Sequence, residues 1–518
     1  MTKGLTIESL RPIWPLLVLV VTAGLVLLGA IAGKDSSEPN LGPTGRRSLL
    51  AVALFGLAAA VVCALLLWPA VAASDRFSPG WFSDYLFFDP LYLFVTIFLC
   101  LFLAGVLVLS SSLGYGPAWE WPVFLALLFG SLVGLILLAS ARHLLFLAIA
   151  LEMASLPSYV LVGFRRFNRK SAEGAAKYVI FGAVCSALML YGISLLYGIA
   201  GSFDWPKIAQ HFATAGLSPL AVAALVCLLI GLAFKISLVP VHFWCPDAFE
   251  AAGADVAAWL SVASKSAALL ALARLLQVLG PSLAPAVRDH VLTALSTVAV
   301  VTMTLANLSA YWQTSVKRLL AYSSIAHAGY LTCGVLVLAD TTGLAALVAY
   351  ILVYLLMNLG AFTVAGLVER QTGSDHLDRF DGLGDRQPRL AAAMTIFLFS
   401  LVGLPPLAGF AAKWILLCAL WRSHLTVLVV AILANTLFSL FYYLRITRAM
   451  YFSPLAPDES PPSDIDHAPT IDRPPPAVLA VPACTAVLLA ACATGLVALF
   501  LAWGLLHSLS LNLFGLPT

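Results

Sequence analysis

Charge is what this chain has least of. Only 10% of its 518 residues are Asp, Glu, Lys or Arg, 61% come from the apolar set, and the formal net charge is +3. A soluble globular chain carries about 25% charged residues, so a water-soluble enzyme is excluded and the bilayer is the solvent. The near balance of acid and base also removes the basic surplus with which a nucleic-acid binder neutralises phosphates. No long hydrophilic block separates the apolar runs between Trp14 and Trp503, and residues 1–518 therefore read as a single membrane domain. The nine cysteines stand singly, with no CxxC and no Cys/His cluster. That spacing argues against an iron–sulfur site, a structural zinc and a disulfide framework, and fits thiols buried as small hydrophobes. Neither a GxGxxG after a strand nor a GxxxxGKS/T loop occurs, so no nucleotide site is visible.

What the chain does have is apolar length. A spanning helix needs about 20 mostly apolar residues, and that rule predicts an all-α polytopic protein of about fourteen segments. Their spans are 13–32, 49–72, 88–110, 121–140, 143–163, 175–199, 219–241, 255–279, 290–309, 318–338, 342–368, 390–421, 424–445 and 477–503. The first, preceded by Lys3 and Arg11 and ending in Ala30-Ile31-Ala32, has features of a signal peptide. Its apolar stretch is long for an h-region, so it is read as an anchor. The Pro-, Asp- and Ser-rich stretch 453–476 reads as an exposed loop before the last helix.

The basic residues orient this plan. Seventeen of the 28 Lys and Arg fall on one face, in groups such as Arg165, Arg166, Arg169, Lys170 and Lys177, or Lys317 and Arg318, and eight fall on the other. By the positive-inside rule the richer face is cytoplasmic, which puts both termini on the non-cytoplasmic side. Trp14, Trp68, Trp81, Trp119, Trp121, Trp205, Trp421 and Trp503 lie near segment ends, as interfacial anchors do.

Three lysines remain, and they fall inside apolar segments: Lys235, Lys265 and Lys413. Glu152 lies near the middle of the fifth segment, on one helix face with Ser155 and Tyr159. An ionisable group at the bilayer centre costs about 2.5–3.5 kcal/mol on insertion scales and usually faces a bundle interior or a hydrated cavity. Snorkelling to the interface is the bland reading for a lysine, and it fails for Lys265, far from either end of its segment. Pro240 follows Lys235 and Pro405-Pro406 precedes Lys413. Proline removes a backbone donor, and freed carbonyls at membrane depth must be satisfied by protein or water. Broken segments 7 and 12 in corresponding positions point to two inverted five-helix repeats, segments 4–8 and 9–13. The domain plan is then 1–115 for helices 1–3, 121–279 and 290–445 for the repeats, and 477–503 for the C-terminal helix. Glu152 opposite Lys235 would make a switchable pair. His327, in segment 10, and His242, after Pro240, are possible relay groups because histidine titrates in the useful range, although a lone membrane histidine equally serves packing.

At these residues the chain resembles the antiporter-like membrane subunits of respiratory complex I, and among them the subunit N branch, counterpart of mitochondrial subunit 2. The stretches that carry the resemblance are LEMASLPSYVLVGFRR, AAKYVIFGAVCSALMLYGISLLYG, GLAFKISLVPVHFWCPDAFE, SVASKSAALLALARL, VKRLLAYSSIAHAGYL and LVGLPPLAGFAAKWILL, in order between about residues 145 and 420. The resemblance implies that Glu152 and Lys235 form the segment 5 and segment 7 pair, that Lys265 is the central lysine and that Lys413 lies nearest the exit. It implies two half-channels joined by a polar axis, in a bacterial inner membrane and among the other membrane subunits of the complex. NADH, FMN, iron–sulfur clusters and quinone would be bound by those partners, with no cofactor in this chain. The chain departs from the family at FEAAGADV, where a Gly-Ala-Pro-Thr-Pro-Val run is usual, and at Ser264, where a proline precedes the central lysine. Two alternatives share the charge pattern or explain it away: a subunit of a multi-subunit sodium/proton antiporter or membrane-bound hydrogenase, and a scaffold that transports nothing.

Overall fold

The computed structural model describes residues 10–32, 43–72, 82–114, 120–165, 168–337, 341–453 and 481–504. Among them the regular structure is helical, apart from three isolated β-bridges. In chain order the helices are α1 (Trp14–Ala32), α2 (Pro43–Ala72), α3 (Pro90–Leu113), α4 (Trp121–Ser140), α5 (Leu144–Val162), α6 (Arg169–Ala200), α7 (Trp205–Ala215), α8 (Pro219–Ile236), α9 (Trp244–Ala251), α10 (Ala254–Trp259), α11 (Lys265–Leu279), α12 (Pro285–Ala310), α13 (Val316–Leu336), α14 (Thr341–Thr372), α15 (Pro388–Val402), α16 (Ala408–Arg422), α17 (Thr426–Phe452) and α18 (Ala483–Leu501). Thirteen helices are long and apolar enough to cross a bilayer, and α15 is a shorter apolar one. The fourteen expected segments are all present, the seventh as α8 plus α9 and the twelfth as α15 plus α16. Arg166, Trp81, Trp119 and the 454–476 part of the expected loop lie outside the described residues.

The starts follow local chemistry. Asp89, Asn168, Ser218 and Ser315 accept hydrogen bonds from first-turn backbone N–H groups of α3, α6, α8 and α13, and Pro occupies the first turn of α3 and α8, where its missing donor is not needed. Packing then sorts the helices into layers. Most residues of α10–α11, α13 and α14 are buried within the protein, whereas most of α12 and α18 are not. Three segments therefore form a centre that lipid does not reach, and Lys265 and His327 lie on two of them. The first helix is part of the body: α1 packs on α2 and α4, with Leu19 and Val26 buried.

Both expected breaks occur, with the same local design. After Ile236 the chain turns through Ser237 in the left-handed region (φ 69°), Leu238 N–H donates back to the Ala233 carbonyl, and a cis Val239–Pro240 bond follows. After Val402 it turns through Gly403 (φ 88°), Leu404 N–H donates to the Phe399 carbonyl, and a cis Pro405–Pro406 bond follows. A further irregularity had no warning in the sequence: Leu260–Ser264 form a π-helical turn directly before Lys265. Inserted turns of this kind collect at functional sites.

One expectation is corrected and one element was missed. Trp205 and Trp121 are buried in the protein rather than anchored at the interface, because Trp205 stacks its edge on Phe87 and Trp121 stacks on Phe124 beneath the Arg46 guanidinium. The gap between segments 6 and 7 contains helix α7, which buries Trp205, Ile208, Ala209 and Phe212. That i, i+3, i+4, i+7 spacing is the amphipathic signature and was legible, but a scan for 20-residue spans passes over an 11-residue helix.

Candidate functional site

Lys235, on the last turn of α8, is fully buried and reaches across to α5 and α6. Its Nζ donates to Ser155 Oγ at 3.0 Å and to Tyr178 OH at 3.4 Å. Glu152, one turn along α5 from Ser155, is near enough for its charge to act on Lys235, its Oε1 is buried without a hydrogen-bond partner, and among the described ion pairs it has none within 4.0 Å. The side chains that Lys235 touches directly are Ser155 and Tyr178. Tyr178 is clamped by Trp244 of α9, stacked at 4.1 Å, and by Tyr159 edge-on at 4.5 Å. Trp244 also supports the break, donating from Nε1 to the Phe234 carbonyl at 3.0 Å.

Lys265 follows the π turn and is equally buried. Its Nζ donates to Cys245 Sγ at 3.7 Å and lies 5.6 Å from the Phe249 ring, both on α9. His242, on the break itself and buried, is close enough to Lys265 to feel its charge. The second half of the broken seventh segment therefore meets Lys265 through Cys245, and its Trp244 stacks on the α6 tyrosine that accepts from Lys235.

His327 continues the line. Its Nδ1 meets Tyr350 OH at 3.0 Å, and its ring packs on Tyr330 and Tyr354. The charges of Lys413 and Lys265 both act on it. Lys413 donates to the carbonyls of Leu401 and Val402, at 3.1 and 2.8 Å, which the α15 break leaves free. Those carbonyls must be satisfied at membrane depth, and the lysine does so. Gly403 makes room for it: a Cβ there would lie 3.0 Å from Lys413 Cδ, at a φ that side chains rarely adopt. The order along the centre is Glu152, Ser155, Lys235, then Lys265, His327 and Lys413. None of the three lysines has a carboxylate within 4.0 Å among the described ion pairs.

Carboxylates are instead spent at the ends of the bundle. At the basic end Glu369 accepts from Arg165 at 2.9 Å and Lys317 at 3.0 Å. Lys317 also holds the Ala252 carbonyl at 2.9 Å, in the extended two-residue link Ala252-Gly253 between α9 and α10. The run that lacks the family's prolines keeps its course through this lysine. Arg318 pairs with Asp247 and Glu250 of α9 at 2.8 and 2.9 Å, and Lys177 pairs with Asp247 at 3.0 Å. At the other end Arg274 donates two hydrogen bonds to Asp89, at 2.6 and 2.7 Å. Burial opposes ionisation of Asp89, but the Arg274 charge and its hydrogen bonds outweigh it and hold the carboxyl below the usual range. Sequence reasoning missed Tyr178, Cys245, Tyr350 and Glu369, since only folding brings them to the buried charges.

The family described as NADH:quinone oxidoreductase/Mrp antiporter, transmembrane, matches residues 141–439, the stretch that contains Glu152, Lys235, Lys265, His327 and Lys413. The chain belongs to this family. Among its relatives is NADH-quinone oxidoreductase subunit N of Chloroflexus aggregans, 37% identical over 473 residues that cover 90% of this chain and 92% of that one. A chain in respiratory complex I from Thermus thermophilus superposes with a TM-score of 0.74 at 31% identity, covering 95% of this chain and 98% of that one. A chain of the Mrp complex from a Dietzia species gives a TM-score of 0.80 at 21% identity, covering 99% and 97%, and shares the fold of this antiporter-like chain.

Proposed function

We propose that the chain is the subunit-N-type, proton-translocating membrane subunit of a bacterial respiratory NADH:quinone oxidoreductase, and that protons move along Glu152, Lys235, Lys265, His327 and Lys413. The observation that carries this reading is the row of buried lysines partnered by hydroxyl, thiol and carbonyl groups rather than by carboxylates. No fixed anion locks an ammonium there, so each amine can take and release a proton, and each release changes the field at the next site in a medium of low dielectric. Glu152 modulates Lys235 through its charge, and His327 links the central lysine to Lys413. His242 lies near enough to Lys265 to serve as a further relay group. The matching offsets of the two breaks support inverted repeats over segments 4–8 and 9–13, each supplying one half-channel. The charge asymmetry supports a cytoplasmic basic end and termini on the opposite face of the inner membrane. Redox chemistry, with NADH, FMN, iron–sulfur clusters and quinone, belongs to partner subunits in this reading.

The test is Lys265→Ala in the whole complex, reconstituted in vesicles. The variant is expected to assemble with its partners while quinone-coupled proton uptake is lost. Assembly with unchanged pumping would make the chain a scaffold and overturn the proposal.

A further inference from the structure

Helix α9 supplies contacts around two buried amines, yet it continues neither of its neighbours. It has eight residues; residues 237–243 separate it from α8, and Ala252-Gly253 separate it from α10. A helix this short is not stable by itself, so its position is set by what it meets. Its first two residues serve the axis. Trp244 stacks at 4.1 Å on Tyr178, which accepts from Lys235, and Cys245 accepts from Lys265 at 3.7 Å.

The rest of α9 is held at the basic end by charge. Asp247, one turn after Trp244, pairs with Lys177 of α6 at 3.0 Å and with Arg318 of α13 at 2.8 Å. Glu250, a turn further, pairs with the same Arg318 at 2.9 Å and with Lys170 of α6 at 3.5 Å. Lys177 immediately precedes Tyr178 in the sequence, so its pair with Asp247 bridges the two helices that the Tyr178–Trp244 stack joins. These charges line a polar cavity of about 170 Å³ and are partly exposed. A lone surface pair does little, whereas several charges joined through an arginine fix a geometry. Among the described ion pairs, Asp247 and Glu250 meet neither Lys235 nor Lys265.

We propose that Asp247 and Glu250 are positioning residues for the proton transfers: through Lys177 and Arg318 they fix α9 against α6 and α13, and so keep Tyr178 on Lys235 and Cys245 on Lys265. The inference rests on the proton-pumping reading above. A shift of α9 by about 1 Å takes the Cys245 thiol out of hydrogen-bond reach of Lys265, and misplacements of that size cost up to about a hundredfold in rate.

The experiment compares Asp247→Asn, Asp247→Glu and Arg318→Gln in the whole complex in vesicles, with Lys265→Ala alongside. It reads quinone-coupled proton uptake and, separately, alkylation of Cys245 by N-ethylmaleimide, located by peptide mass. Cys245 is fully buried in the parent. Asp247→Asn and Arg318→Gln are each expected to lower uptake by about tenfold and to speed Cys245 alkylation several-fold, with Asp247→Glu near the parent in both. A change in one readout without the other overturns the proposal. So does a loss with Asp247→Asn that Arg318→Gln does not reproduce, since Asp247 would then carry protons itself. If neither variant assembles, the parent complex decides: salt raised from about 0.1 to 1 M screens the partly exposed pairs, and Cys245 alkylation should quicken, a flat rate overturning the proposal. If Lys265→Ala pumps normally, the underlying reading fails, while Cys245 alkylation still reports whether the charges hold α9.

Discussion

A lysine in lipid is expensive unless something polar meets it, and here the partners differ residue by residue. Lys235 has a serine and a tyrosine on other helices, Lys265 a thiol, and Lys413 two carbonyls of its own broken segment. The Lys235 contacts are the ones that substitution can separate. Ser155→Ala removes one hydrogen bond to a buried charged group, worth about 1.5–3 kcal/mol, while Tyr178 remains. Coupled proton uptake should fall several-fold and be restored by Ser155→Thr. Glu152→Gln keeps the shape and removes the charge that acts on Lys235, and should abolish uptake while leaving assembly intact, as read by co-purification of partner subunits. Assembly with unchanged uptake in both variants would remove Ser155 and Glu152 from the path.

At the scale of elements, the breaks do two jobs that a straight helix cannot. They free carbonyls, and they let the two pieces of a segment approach different neighbours: α8 meets α6 and α11, while α9 meets α6 and α13. In the second break the approach is close enough to leave no room for a methyl group. A Cβ on Gly409 would fall 1.7 Å from the Ser400 carbonyl, and neither backbone can yield without moving the carbonyls that hold Lys413. Gly409→Ala should therefore cost about 1–3 kcal/mol or more, seen as a lowered melting temperature of the detergent-solubilised complex. Unchanged melting would mean that the α15–α16 turn is more pliant than its contacts indicate. Proline positions made both breaks legible in the sequence. The left-handed Ser237 and the π turn before Lys265 were not legible, since serine has no marked preference for φ above zero and a π turn needs no special residue.

For the whole molecule, the ion pairs divide between the ends. Arg165, Lys177, Lys317 and Arg318 meet Glu369, Asp247 and Glu250 at one end, and Arg274 and Arg142 meet Asp89 and Asp204 at the other. This agrees with the alternation that the segment count requires. If the richer end is cytoplasmic, a cysteine placed before α1 or after α18 should react with an impermeant maleimide added to intact cells, and one beside Lys170 should not. The reverse pattern would invert the assignment.

The sequence by itself determined the solvent, the number of segments, both breaks and the four charges worth following. Each of these follows from a local cost: an apolar run has nowhere else to go, a proline cannot donate, and an unpaired charge in lipid is not tolerated without a reason. Tertiary structure alone decided what meets those charges. Glu152 and Lys235 were expected as a pair, and that the hydrogen bonds of Lys235 go to Ser155 and Tyr178 was set by helix rotation and side-chain reach, not by spacing along the chain. Trp205 looked like an interfacial anchor, but nearness to a segment end does not say whether protein or lipid covers a ring.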